Sequence, residues 1–364
     1  MNKDNGHPRF SGKVLVTGAA GHLGANLVHR LLADGRDVRV FLRHGSDNQA
    51  MDGVQVDKIY GDLRDESAVE RAVDGVETVF HAAAMVSTVQ GDAVHKREIY
   101  GCNVIGTRVL LQAARVAGVK RVVVTGSFSA TGYDVDDPSQ PSDESRPFNP
   151  FAHHLPYART KVLVEHETLK ACIDGLDAVI AVSTAILGPH DYKPSRMGRT
   201  LIDHAHGRLR AYIPGGFEFV AARDIVNGHL LAMEHGRLGN KYIFATQFLT
   251  LDDIMEIYED VTGKPRPRLR LPSGTMKVIA SAADLVLSGL FPTMPRRFTA
   301  DAVHILRLQR HADTSKARRE LGYEPTSIRD AIREAYDDFA RRGLVPPIHR
   351  SAPTTRSSET QAFV

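Results

Sequence analysis

The sequence predicts an α/β fold: a doubly wound parallel sheet followed by a smaller, mainly helical C-terminal region. Three observations carry this. Runs such as Lys13–Thr17 (KVLVT), Thr78–His81 (TVFH) and Arg121–Thr125 (RVVVT) are apolar throughout, as strands covered on both faces must be. Helical patterns alternate with them, which is the signature of parallel βαβ units. Beyond Gly188 the alternation stops, and Pro189, Pro194, Pro214, Gly215 and Gly216 punctuate shorter elements.

Each element has its own justification. Residues 1–12 are polar and read as a flexible N-terminus. After the strand at Lys13–Thr17, Leu27, Val28, Leu31 and Leu32 recur at helical spacing within Ala25–Ala33, and Gly35 closes that helix. Val38–Leu42 is the second strand. Lys58–Tyr60 is the third and leads into the segment GDLRD. A polar helix begins at Glu66, and Thr78–His81 follows as a buried strand. Tyr100–Ala117 reads as a long helix and Arg121–Thr125 as the next strand. Pro138, Pro141, Pro147 and Pro150 make residues 138–150 a loop. Tyr157–Ala171 is helical and Ala178–Ser183 is again a strand. Further helical patterns lie at Ala222–His235, Leu251–Thr262, Met276–Leu290 and Ser327–Arg342. Residues 346–364 are rich in Ser, Thr and Pro and read as a disordered tail.

Composition narrows the function classes. The chain has 364 residues, 42% hydrophobic and 24% charged, which excludes a wholly disordered protein. Its 46 basic and 43 acidic side chains nearly cancel, and it has no Trp. With no basic stripe interleaved with aromatics, nucleic acid is not an expected partner. Two cysteines, Cys102 and Cys172, make neither a disulfide framework nor a zinc module, so a reduced, cytoplasmic protein is expected. The N-terminus lacks a secretory h-region, and the most apolar stretch, Met276–Phe291, is interrupted by Lys277 and Asp284, so no transmembrane segment is expected. The closest histidine pairs, His153-His154 and His204 with His206, lack companion ligands, and no metal is expected. Arg296-Arg297 would suit an acidic carrier protein or a membrane surface, although a solvated loop is the preferred reading.

The sharpest motif is TGAAGHLG, running through Gly18, Gly21, His22, Leu23 and Gly24 between a strand and a helix. Gly18 permits the tight turn, Gly21 lets backbone approach a pyrophosphate, and Gly24 lets helix and strand pack closely. The helix N-terminus then offers unpaired N–H groups to the anion. The motif makes residues 13–188 a dinucleotide-binding domain of Rossmann type, and residues 189–345 a substrate-binding region interleaved with it. An acidic residue at the tip of the second strand would take the ribose 2′-hydroxyl of NAD. Here that tip carries Arg43, which suits a 2′-phosphate, so NADP(H) is favoured over NAD(H). Asp62 and Leu63 follow the third strand, where adenine would sit.

Tyr157 and Lys161 are four residues apart at the start of a helix, and so share a face. A phenol with an ordinary pKa near ~10 needs a neighbouring cation to work as an acid or base at neutral pH. Ser127 follows the strand Arg121–Thr125, at the sheet edge where ligands of open α/β folds bind, with Ser129 as a rival two residues on. Upstream, Asn103 is placed to anchor a water beside the lysine. Glycine turn, Asn, Ser and Tyr-Lys in this chain order are candidates for the acid–base machinery of a hydride-transfer enzyme.

TGAAGHLG, GDLRD, VFHAAA (Val79–Ala84), NVIGT (Asn103–Thr107), YARTK, GPHDYKPS (Gly188–Ser195), VAARDIVNGH (Val220–His229) and ELGYEP (Glu320–Pro325) together resemble the extended short-chain dehydrogenases/reductases of the NAD-dependent epimerase/dehydratase family. Within it the likeness is to the dihydroflavonol-reductase-like branch and the hopanoid-associated sugar epimerases. The resemblance implies cofactor contacts at Gly18–Gly24, Arg43, Asp62, Leu63, Ala82, Ala83, Tyr157, Lys161 and the stretch from Thr184 to Ile186, and it implies a homodimer. Two departures are visible: Ser183 where the family usually has Pro, and TGSF in place of the commoner TSS. The expected activity is reduction of a ketone or aldehyde of a bulky, poorly charged small-molecule metabolite, with Tyr157 as proton donor. The alternatives are an NAD-dependent sugar epimerase or dehydratase, alcohol oxidation of the 3β-hydroxysteroid-dehydrogenase kind, and a cofactor-sensing scaffold without turnover.

Overall fold

A computed structural model describes residues 9–150, 155–270 and 300–347. The expected helix at Met276–Leu290, the pairs His153-His154 and Arg296-Arg297, and the tail from residue 348 lie outside the described residues. Strands β1 (Val14–Thr17), β2 (Val38–Leu42), β3 (Asp57–Tyr60), β4 (Thr78–His81), β5 (Arg121–Ser127) and β6 (Ala178–Ser183) occupy the first half. They are followed by β7 (Ala185–Leu187), β8 (Ala211–Tyr212), β9 (Gly216–Ala221), β10 (Lys241–Phe244), β11 (Gln247–Thr250) and β12 (Leu269–Arg270). The helices of the first half are α1 (His22–Ala33), α2 (Glu66–Val73), α3 (Ala93–Tyr100), α4 (Gly106–Val116) and α5 (Pro156–Ile173). Those of the second half are α6 (Arg196–Ala205), α7 (Ala222–His235), α8 (Leu251–Thr262), α9 (Ala300–Leu308), α10 (Ser315–Leu321) and α11 (Ile328–Arg341).

The seven-stranded sheet has the order β10-β6-β5-β4-β1-β2-β3, parallel throughout. Alternate side chains explain why its strands are apolar along their whole length. Val14, Val16, Val38, Val40, Phe80 and Val123 pack on one face, against Leu27, Leu31 of α1 and Ile225, Met233 of α7. Leu15, Phe41, Val79, Val122 and Val124 pack on the other, against α2, α4 and α5. The order reverses between β1 and β4, so the connections leaving their carboxyl ends diverge and open a crevice there. This is where a doubly wound sheet binds its ligand.

The second half contributes β10 and α7 to the sheet and builds a separate core beneath α6, α8 and α11, centred on Phe219, Tyr258, Ile332 and Phe339. It also holds two small sheets, β11-β9-β7 and β12-β8, which the helical patterns alone do not reveal. Where one long helix at Tyr100–Ala117 is expected, the chain is helical from Ala93 to Val116 with a π-type turn at Gly101–Ile105. That turn widens the helix where Asn103 projects. Among the described residues no helix is long and apolar enough to cross a membrane.

Arg121, only 3% exposed, ties the two halves at the amino end of β5. Its guanidinium donates to Asp177 at 2.6 Å, and to the carbonyls of Met233 and Gly236 at the end of α7. Replacing it strands three acceptors at once. Arg121→Met is expected to lower stability by about 3 kcal/mol, read as a drop in melting temperature with the fold retained by circular dichroism.

Candidate active site

The cofactor cradle follows from two backbone approaches that leave no room for a side chain. Gly18 turns the chain at φ +73°, and a Cβ there would lie 2.6 Å from the Ala83 nitrogen. A Cβ on Gly24 would lie 2.1 Å from the Gly18 carbonyl oxygen. Helix α1 therefore starts against the turn, with Gly21 as its N-cap and no side chain satisfying its first N–H groups. Uncapped N–H groups at the head of a switch-point crevice suit a pyrophosphate, so the residues present fit a dinucleotide. His22 and Leu23 line the crevice, but the His22 ring has another engagement. Its Nε2 meets the carbonyls of Gly188 and Pro189 at 3.2 and 3.0 Å, and Asn26 donates to the same Pro189 carbonyl at 2.8 Å. These bonds latch the segment after β7 to the start of α1.

The remaining expected cofactor residues fall into two groups. Ala82, Thr184 and Ile186 line the central cavity, while Ala83 packs behind it against Gly18. Arg43, Asp62 and Leu63 lie away from that cavity, at the carboxyl ends of β2 and β3. Arg43 is exposed and donates to Ser46 at 2.9 Å. Asp62 accepts Arg64 through both oxygens at 2.8 Å, and that bonding, with Arg43 nearby, holds its carboxyl below the usual range. Leu63 is buried beneath Gly106.

The cavity, about 540 Å³, lies between the carboxyl ends of the sheet and the second-half elements β9 and α9. Ser127, at the end of β5, hydrogen-bonds the Tyr157 phenol, and its Oγ lies 2.8 Å from Ser129 Oγ. Both candidate serines line the cavity, and Ser127 is the one joined to the tyrosine. Burial pushes the phenol up to about 12, against the opposing pull of Ser127. The cation expected to counter this points elsewhere: Lys161 Nζ donates to the Thr125 carbonyl at 2.8 Å. Burial pushes Lys161 down to about 8, with Glu165 one turn on opposing it.

Two buried histidines complete this region. His81 bridges the hydroxyls of Thr17 and Thr107 at 2.7 and 2.9 Å, and His229 bridges Thr125 and the Ile225 carbonyl. Burial and the Lys161 charge push them down to about 3 and about 4, so both are neutral at physiological pH. Lys161 is thus surrounded by groups that do not compete for its charge.

Asn103 is 1% exposed, and its amide grips backbone instead of reaching Lys161. Oδ1 accepts from the Met85 N–H at 2.7 Å, while Nδ2 donates to the Met85 carbonyl and to Thr160 Oγ1. It fixes the loop after β4 to the helix that carries Tyr157 and Lys161. Among the described residues no group of three or more His, Cys, Asp or Glu is placed to hold a metal ion.

Two ionisable groups of the cavity escaped the sequence reading, because their burial comes from segments far away in the chain. Glu218 on β9 accepts the Ala312 N–H at 3.1 Å and is pushed up to about 7 by burial. Arg310 donates to the carbonyls of Phe128, Thr131 and Gly132 and lies over the rings of Phe128 and Tyr133. No periodicity or motif marks either.

Comparison with known proteins agrees with this geometry. Residues 14–244 match the NAD dependent epimerase/dehydratase family. The chain is 45% identical over 331 residues to sterol demethylase protein B of Methylococcus capsulatus, covering 91% of this chain and 99% of that one. It is 30% identical to the 3 beta-hydroxysteroid dehydrogenase/Delta 5-->4-isomerase of Mycobacterium tuberculosis, covering 86% of each. The solved structure of gox2253 superposes with a TM-score of 0.78 at 30% identity, covering 91% of this chain and 99% of that one. With its parallel seven-stranded sheet, its switch-point glycine turn and its nicotinamide-cofactor relatives, the chain belongs to the NAD-dependent epimerase/dehydratase family of extended short-chain oxidoreductases.

Proposed function

We propose that the protein exchanges a hydride between NADP(H), in preference to NAD(H), and the alcohol or ketone carbon of a bulky, largely apolar polycyclic metabolite. The observation that carries this is the Ser127–Tyr157 hydrogen bond inside a largely apolar cavity continuous with the glycine turn. The names of the relatives, a sterol demethylase component and a hydroxysteroid dehydrogenase, support a sterol-like body. A nucleotide sugar would bring a diphosphate, and among the described lining residues the Lys and Arg side chains are Lys161 and Arg310 alone.

The nicotinamide, when bound, supplies or accepts the hydride. The chain does the rest. Ser127 donates to the substrate oxygen and fixes it beside Tyr157. A phenol held near 12 is protonated at neutral pH, so Tyr157 begins reduction as a proton donor. In oxidation the same atom receives the proton of the alcohol. Lys161, held by the Thr125 carbonyl, keeps a buried positive charge at the cavity and would hold the cofactor ribose. Asn103 is a positioning residue, acting through Met85 and Thr160. Arg43, exposed at the tip of β2, would hold the 2′-phosphate.

Three outcomes test these roles. Tyr157→Phe is expected to lower turnover of a polycyclic ketone by about 1,000-fold, while NADPH binding by fluorescence titration is nearly unchanged. Loss of cofactor binding instead would remove Tyr157 from the chemistry. Arg43→Ala is expected to weaken NADPH binding by about tenfold and leave NADH as it was; equal loss on both would argue against a phosphate contact. Lys161 is 4% exposed, and its folded pKa of about 8 lies below the unfolded 10.5. The folded chain sheds that proton first, so the penalty is full below pH 8 and gone above about 10.5. Lys161→Met is therefore expected to stabilise cofactor-stripped protein at pH 7 by about 1–3 kcal/mol. Melting curves should show the gain shrinking between pH 8 and 10.5.

A further inference from the structure

Nothing in hydride exchange at Ser127 and Tyr157 calls for a guanidinium in the same cavity, yet Arg310 lies there. Three backbone carbonyls hold it, those of Thr131 at 2.8 Å, Gly132 at 3.2 Å and Phe128 at 3.3 Å. The rings of Phe128 and Tyr133 cover it at 4.5 and 4.6 Å from their centroids. A guanidinium has five N–H groups, so these three bonds leave two unused. One is Nε–H, shut off from solvent with no acceptor. No carboxylate among the described residues pairs with the group, and Glu218, which lines the same cavity, is engaged by the Ala312 N–H. A partly desolvated cation held by carbonyl dipoles and ring faces, with no carboxylate beside it, is an incomplete arrangement, and an anion completes it.

Position says whose anion. Phe128 is the residue after Ser127, so Arg310 is tethered to the same strand end that presents the serine to the substrate oxygen. A group that meets Arg310 belongs to the molecule that meets Ser127. We propose that Arg310 recognises a carboxylate carried by the substrate close to its reacting carbon, making the preferred substrate a bulky apolar hydroxy or keto acid. This rests on the hydride-exchange reading and narrows its substrate class. One cation amid Phe128, Phe217, Ile305 and Leu308 suits a monoanion on an apolar body better than a phosphate dianion.

The test compares three probes on the NADPH complex by calorimetric titration: a sterol 3β-ol bearing a 4-carboxylate, its neutral 4-hydroxymethyl counterpart, and the phosphate ester of the latter. Wild type is expected to bind the acid about 30-fold or more tightly than the neutral probe. Arg310→Met should lose far more on the acid than on the neutral probe, and Arg310→Lys should restore part of the difference. Equal wild-type binding of acid and neutral probe overturns the proposal, and that comparison stands even if the variants fail to fold. Equal losses on both probes in a folded Arg310→Met reduce Arg310 to a prop for residues 128–133. Tighter binding of the phosphate ester overturns the choice of carboxylate. Turnover of the same probes is followed separately with NADP+ in place of NADPH, because oxidation of the 3β-ol needs a hydride acceptor. Selective binding of the acid with no oxidation of any probe leaves the anion site standing and removes the hydride-exchange reading.

Discussion

The close approach of backbone to backbone at Gly18 sets the position of almost everything functional in this molecule. Three segments converge there: the end of β1, the first residues after β4, and the head of α1. Each approaches to a distance that a single methyl group would prevent. Because the sheet order reverses between β1 and β4, this contact falls where the crevice opens. The uncapped N–H groups of α1 consequently face a space bounded by strand ends, and every catalytic candidate on β5 and α5 is placed relative to it. The His22 and Asn26 bonds to the segment after β7 extend the same fixed point into the second half of the chain.

Electrostatically, the interior around Lys161 is arranged by subtraction. Its ammonium is buried against a carbonyl, its nearest carboxylate, Glu165, is shared with Lys241 at 3.2 Å, and His81 and His229 are held neutral between hydroxyl and backbone partners. Two of the seventeen histidines thus serve as rigid, uncharged hydrogen-bonding spacers. The same logic separates Tyr157 from the cation expected to tune it. Four residues along one helix gives a shared face, but the lysine follows the nearer acceptor on β5, and desolvation dominates the phenol.

Much of this was legible in the residues, for identifiable reasons. Val38–Leu42, Thr78–His81, Ala178–Ser183, Ala222–His235 and Leu251–Thr262 occur with the boundaries their patterns imply, because each has a full apolar face or a strong local stop. The glycine turn was legible because its steric demands are local. The π-type turn at Gly101–Ile105 was not, since it is a single turn inside a continuous helical run and no residue type marks its i→i+5 bonding. The strands β7, β8 and β12 are two or three residues long, too short for any period to show. Asn103 was singled out for its place in the chain order, yet what its amide grips depends on a loop eighteen residues away. Arg310 escaped altogether: a polar residue flanked by Gln309 and His311 reads as surface, and only residues 128–133 make it interior.

The strand β10 gives the sheet a different meaning as a folding unit. Residues 241–244 pair with β6 across some sixty intervening residues, and α7 packs on the sheet beside α1. A chain ending near Gly188 would contain every glycine, serine, tyrosine and lysine of the site, yet it would expose β6 as a bare apolar edge and uncover Phe80 and Val123. Such a fragment would keep every candidate cofactor residue named above and carry the surface of an aggregate. The second half of the chain is therefore part of what keeps the first half from aggregating, and the two can diverge in evolution only as far as β10 and α7 allow.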